Sequence, residues 1–218
     1  MLDEVLQELS APTDICSVTD GIEIPSMADI CLDVQPKEKS DIFKSSQRKS
    51  WDKTEEARCD FSYKLRLIHR ASTAIITIWQ KSVFGRTLTD IKADDDMIPF
   101  FANNLSLVIR ECLGCHLSDG HWAIVTSPMR RHKDRNFATL IAEDLAKELA
   151  IPFYDDCAHC NSRQRVNAVF EAGNIPREPN VIVIDDFVTT GSTLQSMNNL
   201  LQLCGKNCVF FAGINNKL

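Results

Sequence analysis

Val181-Ile-Val-Ile-Asp-Asp-Phe-Val-Thr-Thr-Gly-Ser-Thr-Leu194 is the stretch on which the reading of this chain turns. Its first four residues are an unbroken apolar run, as expected of a strand buried on both faces of a parallel sheet. Two adjacent carboxylates, Asp185 and Asp186, follow at the strand's C-terminal edge. A short loop then presents Thr189, Thr190, Gly191, Ser192 and Thr193 at the start of a helix, Ser192 to Leu203, that stops at Gly205. An ordinary capped turn accounts for one Ser or Thr, but not for two acids followed by a five-residue hydroxyl and glycine loop.

The chemistry of that pattern is specific. Backbone N–H groups and hydroxyls at a helix N-terminus make an anion site, and Gly191 lets the backbone come close. Carboxylates would repel the anion itself, but they accept hydrogen bonds from hydroxyl groups. A diol beside a phosphate describes a ribose 5-phosphate, and the open edge of a parallel sheet is where such ligands bind.

Working outward, the segments around this stretch alternate between strand and helix. Trp122 to Ser127 is a short apolar run closed by Pro128. Phe137 to Leu149 is helical, with Leu140, Ile141, Leu145 and Leu149 on one face. Ile151 to Tyr154 and Cys208 to Ala212 read as further strands. Asp94-Asp95-Asp96 offers a cap and favourable charge for a helix with Pro99 in its first turn, running to about Leu113 and stopping at Gly114. Phe61, Leu65, Ile68 and Ile75 recur at roughly helical spacing, although the β-branched run 75–78 fits a strand equally. Strands alternating with helices imply right-handed crossovers and an α/β fold: a parallel sheet of about five strands flanked by helices. Residues 1–60 carry no sustained periodicity and read as loops, short strands or an irregular arm on a domain spanning 61–218.

Composition sets the outer limits. The 218 residues are 44% hydrophobic and 25% charged, which excludes collagen-like, low-complexity and wholly disordered chains. A formal charge of −6 does not indicate nucleic-acid binding by bulk charge, so a polyanion would need a local basic patch. The longest apolar runs are too short to span a bilayer. Met1-Leu2-Asp3-Glu4-Val5 lacks the basic start and apolar block of a signal peptide, so the chain reads as cytoplasmic. Nine cysteines, an odd number without an export signal, then read as reduced thiols.

The stretch 181–194 resembles the 5-phosphoribosyl-1-pyrophosphate (PRPP) motif of type I phosphoribosyltransferases: an apolar strand, two acids, then a Thr/Gly/Ser loop. Val125-Thr-Ser-Pro-Met-Arg-Arg-His-Lys-Asp-Arg-Asn-Phe137 and Ser162-Arg-Gln-Arg-Val-Asn-Ala-Val-Phe170 resemble segments of the ComF-like branch of that family. The resemblance implies a phosphoribosyltransferase-like fold and Mg²⁺-dependent transfer of ribose 5-phosphate from PRPP to a nucleobase-like acceptor, with release of pyrophosphate. It implies that Asp185 and Asp186 hold the ribose hydroxyls, directly or through Mg²⁺, and that Thr189 to Thr193 hold the 5-phosphate. Pyrophosphate falls to Ser127, Pro128, Met129, Arg130 and Arg131. Lys133, Arg135, Arg163 and Arg165 stand as further contributors. The other reading is a non-catalytic PRPP-binding protein of regulatory or DNA-uptake type. A homodimer, common in the family, could form through the sheet edges or region 61–113.

Cys112-Leu-Gly-Cys115 and Cys157-Ala-His-Cys160 form two C-x-x-C pairs. A four-cysteine zinc site is the sharper reading of them. Topology opposes it, because the first pair precedes a strand and the second follows one, which puts them at opposite edges of the sheet. One pair could still join Cys16, Cys31 or Cys59. Trp79 and Trp122 read as core.

Overall fold

The structure, a computed structural model, describes residues 57–128, 136–159 and 170–217. Their elements run, in chain order, β1 (Arg58–Cys59), β2 (Arg66–Arg70), β3 (Thr73–Gln80), β4 (Arg86–Thr87), α1 (Leu88–Ala93), α2 (Met97–Leu113), a 3-10 turn (Gly114–Asp119), β5 (Trp122–Thr126), α3 (Phe137–Leu149), β6 (Phe153–Tyr154), β7 (Ala158–His159), β8 (Glu171–Ala172), β9 (Asn180–Val188), α4 (Ser192–Leu203) and β10 (Asn207–Asn215). No helix among the described residues is long and apolar enough to cross a membrane.

Six strands make one sheet in the order β2-β3-β10-β9-β5-β6. Five of them are parallel; β2 is an antiparallel edge strand, joined to β3 by a hairpin. The β-branched residues of 73–80 therefore settle the ambiguous segment as strand. The helical spacing of Phe61, Leu65, Ile68 and Ile75 was coincidental, and stiff side chains that pack well on a pleated surface prevailed.

The central strand β9 behaves as its apolar run requires. Ile182 and Ile184 join one buried cluster with Leu105 and Ile109 of α2 and Ile141 and Leu145 of α3. Val181 and Val183 join the cluster on the other face with Leu194, Met197 and Leu201 of α4. Both faces are thus sealed by helices, in the expected α/β arrangement. The helix signals in the sequence hold closely: α2 begins after Asp96 and stops at Gly114, and α4 spans Ser192–Leu203. Trp79 is buried in the core, packed against Phe61, Phe100 and Phe101. Ala57 and Cys59, which lie before residue 61, are fully buried in that same core.

Strict alternation breaks at one level of the sheet. Ile184 and Phe187 both pack toward the α2 side, as do Phe211 and Ile214 on the neighbouring strand β10. The residues between them at this level are Asp185 and Asp186 on β9 and Ala212 and Gly213 on β10. Here the Asp186 and Phe187 N–H groups donate to the carboxylates of Asp185 and Asp186, at 3.0 and 2.7 Å. Gly213 makes room for the Phe101 ring; a Cβ there would lie 2.3 Å from Cε1. The sheet is thus locally reshaped where the two acids sit.

Candidate functional site

The connectivity marks a place on the sheet edge. From β5 the chain passes through α3 to β6 on one side; from β9 it passes through α4 to β10 on the other. The C-terminal ends of β5 and β9 are hydrogen-bonded neighbours, with Thr126 level with Ile184. Chain direction diverges there. In open parallel sheets such a switch point is the usual ligand position.

Both strand ends present polar groups. Just past β5, the Ser127 hydroxyl is buried and has no hydrogen-bond partner. Leaving a hydroxyl in that condition costs about 1–3 kcal/mol, so it is a group that a ligand could satisfy. On β9, Asp186 is buried and its Oδ2 forms an ion pair with Lys92 Nζ of α1. Lys92 also lies 4.6 Å from the centroid of the Phe187 ring. Asp185 is held well above the usual carboxylate range, first by burial and then by the neighbouring Asp186 charge; Lys92 pulls the other way. These effects favour the neutral form of Asp185, and hydroxyl donors or a cation brought beside it would favour the carboxylate.

Past β9 the loop keeps two hydroxyl residues, Thr189 and Thr190, exposed. Thr189 Oγ1 accepts from Asn216 Nδ2 at 3.3 Å, and Asn216 Oδ1 is itself buried without a partner. Thr190 Oγ1 donates to Ser192 Oγ at 3.2 Å. Gly191 takes φ +74°, the left-handed region that favours glycine, and caps α4 without a side-chain bond to its first turn. Its Cα does not face open space. A Cβ there would lie 2.5 Å from Arg70 Cβ and 2.8 Å from Arg70 Cγ, so the missing side chain admits the stem of Arg70. Thr190, Gly191 and Ser192 line one end of a cavity of about 480 Å³, with Ala71, Gln195 and Asn199.

The structure therefore places Asp185, Asp186, Ser127 and Pro128 at the adjoining ends of two neighbouring strands, and Thr189 to Thr193 directly beyond one of them. Met129, Arg130, Arg131, Lys133, Arg135, Arg163 and Arg165 lie outside the described residues. Sequence reading missed Lys92, Asn216 and Arg70. Each comes from a distant element, and no local spacing ties it to the motif.

The described cysteines are free thiols. Cys157 is buried close enough to Cys204 and Cys208 for their charges to raise its pKa further, though burial is the larger cause of a rise to about 12. Cys112 and Cys115 are exposed at the end of α2 and in the following turn. Cys16, Cys31 and Cys160 lie outside the described residues. Among those described, no three His, Cys, Asp or Glu side chains group to hold a metal.

No family model and no curated protein sequence matches the chain. Solved structures similar to it include an adenine phosphoribosyltransferase, at 13% identity over 69% of this chain and 84% of that one, with a TM-score of 0.44. A hypoxanthine phosphoribosyltransferase from Staphylococcus aureus aligns at 17% identity over 57% and 68%, with a TM-score of 0.42. An orotate phosphoribosyltransferase from Aeropyrum pernix aligns at 14% identity over 75% and 78%, with a TM-score of 0.40.

Proposed function

We propose that this chain binds PRPP at the β5/β9 switch point and transfers its ribose 5-phosphate to a nucleobase-like acceptor, releasing pyrophosphate. One observation carries the reading: a strand bearing paired acids ends in a hydroxyl and glycine loop at the topological switch point, beside an unpartnered buried Ser127 hydroxyl. Charge and hydrogen-bonding capacity then match the ligand part by part.

The reaction is a displacement at C1 of the ribose. The C1–pyrophosphate bond breaks, the acceptor nitrogen forms the new bond, and charge builds on the ring as on an oxocarbenium ion. The chain has little covalent work to do; it positions the reactants and stabilises charge. Asp185 and Asp186 accept hydrogen bonds from the ribose hydroxyls and set negative charge near the developing cation. Thr189 to Thr193 seat the 5-phosphate at the start of α4. The Ser127 hydroxyl and the Pro128–Arg131 segment receive the pyrophosphate, with Lys133, Arg135, Arg163 and Arg165 as further sources of positive charge.

The donor set suits Mg²⁺. Two adjacent carboxylates, Asp185 accepting the Asp186 N–H and Asp186 the Phe187 N–H, suit an ion that keeps most of its waters and takes the rest of its shell from phosphate oxygens. Asp185 and Asp186 would hold it, and its chemistry would be to neutralise charge on the departing pyrophosphate.

Calorimetry with PRPP and Mg²⁺ tests the reading. The wild type is expected to bind, and D185N/D186N to lose binding; equal affinity in the two proteins would overturn the assignment. Pyrophosphate release across a panel of bases then identifies the acceptor. Binding without release from any base would reassign the chain as a non-catalytic PRPP-binding protein.

A further inference from the structure

The β2–β3 hairpin is fastened over the start of α4. Its two-residue tip carries Ala71 at φ +52°, a left-handed conformation costly for a residue with a Cβ. Three donors beside it, Ser72 N, Ser72 Oγ and Thr73 Oγ1, converge on Gln195 Oε1 at 3.2, 3.0 and 2.8 Å. Gln195 is held in turn by its Nε2 bond to Asn199 Oδ1 at 2.9 Å. The consequence is the placement of Arg70. Its stem lies on Gly191, and its Nη2 donates to Asn215 Oδ1 at 2.8 Å.

That arginine is incompletely satisfied. Its Nε is buried and has no partner. Nη1 reaches only the carbonyl of its own neighbour, His69, at 3.2 Å and near the surface. Among the described residues no carboxylate pairs with it. A partly buried guanidinium without a counter-anion is costly, and this one is carried on a stem that lies against the glycine of the proposed 5-phosphate loop, which gives it an evident use. The other groups at that spot are the hydroxyls of Thr190 and Ser192 and the first turn of α4, whose Ser192 N–H donates to Thr190 Oγ1 at 3.4 Å; none of them is negative.

We infer that Arg70 supplies the counter-charge for a phosphate monoester seated on the Thr190–Ser192 loop. The inference rests on the proposed 5-phosphate position and extends it. The loop is not served by backbone donors and hydroxyls alone; a full positive charge reaches it from the edge hairpin. Arg70 exchanges its bond to the His69 carbonyl for the phosphate oxygens and keeps its anchor on Asn215. Because the charge is neutralised by the protein, the phosphate end binds without a divalent ion, while the pyrophosphate end needs one.

Calorimetry with ribose 5-phosphate in EDTA, and separately with PRPP and Mg²⁺, tests this on the full chain. Wild type is expected to bind ribose 5-phosphate in EDTA, and R70M to weaken that binding at least tenfold. R70K keeps the charge but has no Nε donor, and is expected to fall between them. Ribose 5-phosphate affinity unchanged in both variants overturns the role of Arg70 even if PRPP binds. Should R70M not fold, R70K decides alone, and unchanged affinity again overturns it. If wild type binds ribose 5-phosphate through Arg70 but ignores PRPP, the transferase reading falls and the Arg70 site stands. No binding of ribose 5-phosphate to wild type overturns the inference outright.

Discussion

Lys92 and Asp186 come from elements more than ninety residues apart, and they meet as an ion pair at the rim of the sheet. The carboxylate is buried, whereas the lysine side chain keeps 45% of its surface exposed and lays its cation over Phe187. The pair therefore has a dry end and a wet end. Removing the cation leaves a buried charge without its partner, which is far worse than losing an exposed pair. K92M is expected to destabilise the fold by about 1–3 kcal/mol, discounted from a fully buried pair because water still reaches Lys92. D186N should cost less, since the amide needs no cation. Urea unfolding of K92M, D186N and the double variant gives the coupling; additive effects would show that the pair contributes nothing.

Asp185 gives the fold a pH dependence of definite sign. Its carboxyl is held well above the ordinary range by burial and by Asp186. Above about pH 4 the unfolded chain has released this proton while the folded chain still holds it, so folding takes up a proton. Stability from this group is complete below the unfolded pKa and is lost as pH rises through the folded one. D185N should flatten this slope and stabilise the free protein at neutral pH relative to wild type. Midpoints of urea unfolding between pH 4 and 8 measure it; parallel slopes in the two proteins would refute the assignment.

Gly213 is held to glycine by packing. The Phe101 ring against it is fully buried, and a Cβ would also come within 3.0 Å of the Asp186 carbonyl oxygen. G213A is expected to cost about 1–3 kcal/mol, as overpacked cores do. The strain would be felt at the level of the acid pair. A lowered urea midpoint together with weaker PRPP binding is the expected result; wild-type values for both would mean that the ring yields freely.

How far the sequence could be read follows from the range of each signal. The helices α2 and α4 were legible because the signals at their ends act within a turn of the helix, and α3 because Leu140, Ile141, Leu145 and Leu149 repeat on one face. The acid pair and its loop were legible because β9, the loop and α4 are contiguous. The 61–80 region was not, since Ile75, Ile76 and Ile78 satisfy a buried strand and a helix face alike, and only pairing with β10 separates the two. Arg70, Lys92 and Asn216 were illegible for a different reason. Each acquires its role from a partner over ninety residues away, or from strand ends that only the assembled sheet brings together; in the sequence Arg70 is one more cation in a turn. The neighbourhood of Cys157 with Cys204 and Cys208 was illegible for the same reason, because packing and not spacing brings them together.

The thiols provide a direct check on that packing. Burial raises Cys59 to about 11 and Cys157 to about 12, so neither carries appreciable thiolate at pH 8. Cys208 is likewise raised by burial, to about 11. Cys112 and Cys115 stand exposed on the opposite side of the chemistry: reachable by reagent, though burial and Glu111 still raise Cys112 somewhat. Among the described cysteines, brief alkylation at pH 8 followed by peptide mapping should label Cys115 first and Cys112 next. Cys59 and Cys157 should react only after unfolding, with rates that follow the urea transition. Fast labelling of Cys157 in the folded protein would mean that the cluster beneath α4 is open, and with it the support on which the Thr190–Ser192 loop rests.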